Sequence, residues 1–65
     1  KDILKTMEYD IEQEQNTIDN YEFEKSYTDN KSIRDLLDRI ILDETVHKKI
    51  LKGIAEDYKR GKYKI

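Results

Sequence analysis

Three side chains in this sequence have the chemistry of metal ligands: Glu14, Glu44 and His47. Glu44 and His47 stand three residues apart in Asp43-Glu44-Thr45-Val46-His47, so on a helix they share one face. Carboxylate oxygen and neutral imidazole nitrogen together suit a divalent cation such as iron or manganese. The chain has no Cys, which excludes disulfides, thiolate zinc sites and iron-sulfur clusters from this segment. No nucleophile with an adjacent base is visible, so a hydrolase is disfavoured.

The elements that must position these three residues are helices. Ile33, Leu37, Ile40, Glu44, His47, Leu51, Ile54 and Tyr58 alternate spacings of four and three, as on the inward stripe of a packed helix. Leu4, Met7, Ile11, Glu14, Ile18, Tyr21 and Lys25 do the same upstream. Glu14, Glu44 and His47 therefore occupy positions where apolar residues belong, which is costly unless something neutralises them. Charged and amide residues such as Glu8, Glu12, Gln15, Asp19 and Glu22 fill other faces. Thr28-Asp29-Asn30-Lys31-Ser32 is the one cluster of helix breakers, and Asp29 or Asn30 can cap a following helix. Asn30-Lys31-Ser32 also matches a glycosylation acceptor, but with no secretory signal visible it reads as turn and cap.

The expected fold is all-α: an antiparallel helical hairpin, helix 1 about 1–28, a turn at 28–31 and helix 2 about 31–59, the whole of 1–65 being one domain. The last turn of the second helix is rich in Lys and Arg, Gly61 is a plausible stop, and Gly53 lies inside the helical pattern at a cost of about 1 kcal/mol relative to Ala. If the chain folds back at Asp29, Glu14 lies level with Glu44 and Ile11 with His47, both carboxylates about 22 Å from the turn. Three ligands then converge at one height. Two facing carboxylates repel, and a divalent cation between them removes the conflict. One hairpin is too poor in ligands to close a site. Two hairpins related by a two-fold axis bring four carboxylates and two imidazoles, balance two divalent ions, and cover each other's apolar stripes in a four-helix bundle.

Composition narrows the remaining classes. Sixty-five residues make a core too small to be comfortably stable alone, so partners are expected, a homodimer first. With 43% charged residues, no Pro and two Gly, the composition suits long amphipathic helices. A net charge of -2 leaves no basic footprint for nucleic acid, and no apolar run approaches a membrane span. A cytoplasmic location is expected. Phe23 and Tyr27 fall off the main stripe and could cover a second interface, Met7 reads as a gap filler, and Lys59-Arg60-Gly61-Lys62-Tyr63-Lys64 reads as a solvated basic end.

At this point the residues resemble the ferritin-like di-iron carboxylate proteins, in which two helices each give a Glu and two others each give a Glu-x-x-His. Glu14-x-x-Thr17-x-x-x-Tyr21 is similar to the Glu-x-x-Ala-x-x-x-Tyr run of rubrerythrins and bacterioferritins, and Glu44-x-x-His47 supplies the second element. The resemblance covers about residues 4–54, and a single helix pair with this Glu14-to-Glu44 interval looks most like the encapsulated ferritins. It implies a ferroxidase that oxidises Fe(II) with O2 for iron storage at a di-iron centre shared by two chains, with manganese also accepted. By the same resemblance Glu44 would bridge the metals, Glu14 would be a terminal ligand, His47 would complete each metal, and Tyr21 would act beside the site. It further implies a higher homo-oligomer and residence inside an encapsulin nanocompartment. Gln13 and Asn16 stand where encapsulated ferritins carry outer acids, Thr45 follows the bridging Glu where a haem-binding bacterioferritin has Met, and the four-Cys domain of rubrerythrins has no counterpart. Two alternatives stay open: a half of a longer rubrerythrin- or bacterioferritin-like chain, and a non-catalytic hairpin module whose Glu and His set register.

Overall fold

Helices are what the sequence patterning dictates and what the computed structural model contains, over the described residues 2–63: α1 (Ile3–Lys25) and α2 (Lys31–Lys59), packed as a hairpin 52 × 16 × 12 Å in extent. Asp2 caps α1, its Oδ1 accepting from the Leu4 and Lys5 amides at 3.1 and 3.2 Å. Asn30, not Asp29, caps α2, accepting from the Ile33 amide at 3.1 Å.

The first helix was expected to reach about residue 28 and stops at Lys25; Lys1 lies outside the described residues. The Ser26 and Tyr27 amides turn back onto Phe23 O and Glu24 O at 3.1 and 3.0 Å, tightening the last turn, and the Ser26 hydroxyl also donates to Phe23 O at 2.6 Å. Carbonyls freed by that stop are taken by Arg34, whose Nη1 donates to Lys25 O at 2.8 Å and Thr28 O at 3.1 Å. Arg34 thus clasps the turn from the second helix.

At the far end Gly61 has φ 76°, a left-handed conformation that glycine adopts without strain. Its amide donates to Tyr58 O and the Lys62 amide to Asp57 O, both at 3.0 Å, which is the Schellman pattern. Gly61 ends α2, as its position suggested.

The α1 stripe packs as its spacing requires: Leu4, Met7, Ile11, Glu14, Ile18, Tyr21 and Lys25 are all half-buried or buried, with Gln15 and Thr17 half-buried beside them. The α2 stripe is turned from the expected one. Leu37, Glu44, Leu51 and Ile54 are half-buried as expected, but Arg34, Ile41, Lys48 and Ala55 join them, while Ile33, Ile40, His47 and Tyr58 are exposed. The physical reason is that α2 carries two apolar stripes sharing one edge, and the small Ala55, 5% exposed, is the most buried residue of the second. Long Arg34 and Lys48 tolerate that face because their stems pack while their charged ends reach polar partners.

This rotation gives the hairpin two unlike sides. One, the polar side, is bridged by Lys48 donating to Gln15, by Lys25 with Asp38 at 2.6 Å, and by Lys59 with Glu8 at 3.9 Å. The opposite, open side carries Ile33, Leu36, Ile40, His47 and Ile50, all exposed. Only Ile18 and Ala55 are buried among the described residues. A plate one helix thick cannot bury more by itself.

Candidate metal centre

Glu14 is the middle residue of α1, and Thr45, flanked by Glu44 and His47, is the middle of α2. Helix interiors move least at their centres, where both neighbouring turns hold the backbone, so the three side chains are set on the stiffest part of the hairpin. Both glutamates belong to the packed stripe and are 22% and 21% exposed, whereas His47 sits on the rim of the open side at 61%. His47 was expected on the inward stripe; the turn of α2 about its axis puts it at the edge instead.

The cluster still forms. One ligand atom from each of Glu14, Glu44 and His47 lies within 4.8 Å of the others. His47 Nδ1 is 3.2 Å from Glu44 Oε1, a hydrogen bond when that nitrogen carries the proton, and 3.7 Å from Glu14 Oε2, too far for one. Glu14 and Glu44 are brought together as expected, and Glu14 also approaches His47, one turn on. Side chains lean toward the N-terminus of their own helix, so in an antiparallel pair those of α1 lean away from the turn and those of α2 toward it.

Whether these residues fit a cation is tested by what the cluster leaves unsatisfied. Glu14 Oε2 is shut off from solvent and has no hydrogen-bond partner. A carboxylate oxygen in that condition costs free energy that a cation would return. The donor set is two carboxylates and an imidazole, and an open groove lined by Asp10, Gln13, Glu14, His47, Ile50 and Leu51 leads to it from the open side. The set fits an oxygen- and nitrogen-preferring divalent ion, and three ligands from one chain leave coordination positions to be filled.

Tyr21 is half-buried on the same α1 stripe, two turns toward the hairpin turn from Glu14, and is not part of the cluster that Glu14, Glu44 and His47 form. Lys48, which the expected stripe did not include, lies half-buried on the packed face of α2 one turn after Glu44. The signal was present in the Glu44-x-x-x-Lys48 spacing and in the small Ala55 on the same face.

Set against family models, curated proteins and solved structures, the chain finds no match. Among the described residues no helix is long and apolar enough to cross a membrane.

Proposed function

We propose that this chain is a ferroxidase half-site: two hairpins pair through their open sides, and Glu14, Glu44 and His47 of each hold two Fe(II) ions that O2 oxidises, with iron storage as the outcome. The single observation that carries the reading is the solvent-excluded, unpartnered Glu14 Oε2 directed into a cluster with Glu44 and His47. The groove beside it and the uncovered Ile33, Leu36, Ile40 and Ile50 support a second copy as the source of the missing ligands. Such a pairing covers apolar side chains while leaving the polar, ion-paired side in water.

In this reading each residue has a separate task. Glu14 and Glu44 supply the negative charge that offsets the cations, and His47 supplies a neutral nitrogen that holds a metal without adding charge. Breaking the 3.2 Å contact between His47 and Glu44 frees both for coordination. By the resemblance Tyr21 acts beside the site, and its half-buried position on the Glu14 stripe is compatible with that role. Fe(II) is the substrate and supplies the electrons that O2 takes; iron's d-electron chemistry, not the chain, performs that transfer. Manganese is accepted by the same donors, and residence in an encapsulin shell rests on the resemblance alone.

A register-setting hydrogen-bond network is the rival reading, favoured by the His47 to Glu44 contact. It leaves Glu14 Oε2 unsatisfied, and the metal reading does not. The test is anaerobic titration of the chain with Fe(II), then admission of air. One iron bound per chain, with O2 consumed in proportion, supports the proposal. No binding, or binding without O2 uptake, removes the ferroxidase.

A further inference from the structure

Lys48 has an obvious partner that it does not use. Glu44 precedes it by four residues on the same helix, the acid-before-base order that favours an ion pair. Glu44 instead faces His47 and Glu14, and among the described residues no carboxylate lies within ion-pair distance of the Lys48 ammonium. The ammonium crosses the polar side of the hairpin and donates to Gln15 Oε1, a neutral acceptor on the other helix. Gln15 is itself oriented: its Nε2 donates to Asp19 Oδ1 at 2.8 Å. With the amide nitrogen engaged there, the carbonyl oxygen faces Lys48, so the chain Lys48, Gln15, Asp19 runs in one donor-to-acceptor sense.

We infer that Gln15 is a positioning residue that holds the Lys48 ammonium on the polar side of the hairpin, away from Glu44, and so keeps the Glu14, Glu44 and His47 cluster available to a divalent cation. This rests on the proposed metal site. Released from Gln15, the flexible lysine swings to Glu44, one turn away, and competes with a cation for the same carboxylate. A neutral amide suits the task because it satisfies the ammonium without cancelling its charge or adding an anion beside the site. The same bridge ties the centre of α1 to the centre of α2 next to the ligands, so it also fixes their register.

The experiment is titration with Co(II) alone, followed by its visible absorption, on the full chain and on Gln15→Leu, Lys48→Met and the double variant. Leu keeps the volume of Gln15, and far-UV circular dichroism checks that helicity is retained. Gln15→Leu is expected to weaken Co(II) binding by roughly twofold to fivefold, the strength of a partly screened ion pair in competition. Adding Lys48→Met to it is expected to restore the affinity to the original value or above. A merely structural bridge moves the other way, since the double variant then binds no better than Gln15→Leu alone. Equal affinity of Gln15→Leu and the unaltered chain overturns the inference while leaving the metal site standing; absence of Co(II) binding by the unaltered chain overturns the site itself.

Discussion

Replacing Glu44 by Gln tests the cluster twice, through the stability of the metal-free protein and through its affinity for a metal ion, and the second separates a metal centre from a structural network. The ligand atoms of Glu14 and Glu44 are at most 4.8 Å apart. Two unit charges at that distance repel by about 0.9 kcal/mol in bulk water and about 3.5 kcal/mol at an effective dielectric of about 20. Both carboxylates are roughly one-fifth exposed, so the repulsion lies between these values. Against it stands the His47 contact to Glu44, which is worth about 0.5 to 1.5 kcal/mol. Glu44→Gln removes the repulsion and keeps an oxygen able to accept from His47. The metal-free chain is therefore expected to gain about 1 kcal/mol, or about 4–8 °C in Tm for a chain of this size. Metal affinity is expected to fall by more than about 100-fold, because an amide carries no charge to offset the cation. Thermal unfolding in chelator at fixed chain concentration, read by circular dichroism, gives the first quantity, and Co(II) titration the second. A lower Tm without metal, with affinity for Co(II) unchanged, would refute the reasoning.

Ile40→Glu places a charge on the open side at a residue 37% exposed, so helicity is expected to persist while the pair of hairpins dissociates, as sedimentation equilibrium would report. Gly53→Ala is expected to stabilise the chain by about 1 kcal/mol, since an added Cβ meets nothing within 4 Å; an unchanged urea midpoint would contradict this. Hydrogen bonds to Asp38 and then Glu22 raise the Lys25 ammonium above its ordinary value. A raised basic group contributes stability that is fully present below its unfolded value, near 10.5, and is lost as pH rises through the folded one. Lys25→Met is accordingly expected to flatten the fall in Tm above about pH 10 while leaving its slope near neutrality unchanged.

Helix number, the hairpin turn and the Gly61 stop were legible because breakers and caps act locally: Asn30 accepts from an amide three residues on, and Gly61 needs only its own φ. The α1 stripe was legible because it has one apolar face. The α2 face was not, because Ile33 and Ile40 read as well as Ile41 and Ala55 until the size of the contact residue decides between them. That choice moved His47 from the inward stripe to the rim and brought Lys48 inward. The ligand cluster survived the rotation because Glu44 lies on the edge common to both stripes.

The central claim is a binuclear centre completed by two copies of this chain, and native mass spectrometry of the anaerobically metal-loaded protein tests it most directly. The expected species is a dimer carrying two metal ions, reverting to one without metal or to single chains when Glu14 and Glu44 are both replaced by Gln. A single chain that holds its metal unaided, or a dimer whose metal content ignores those replacements, would contradict it.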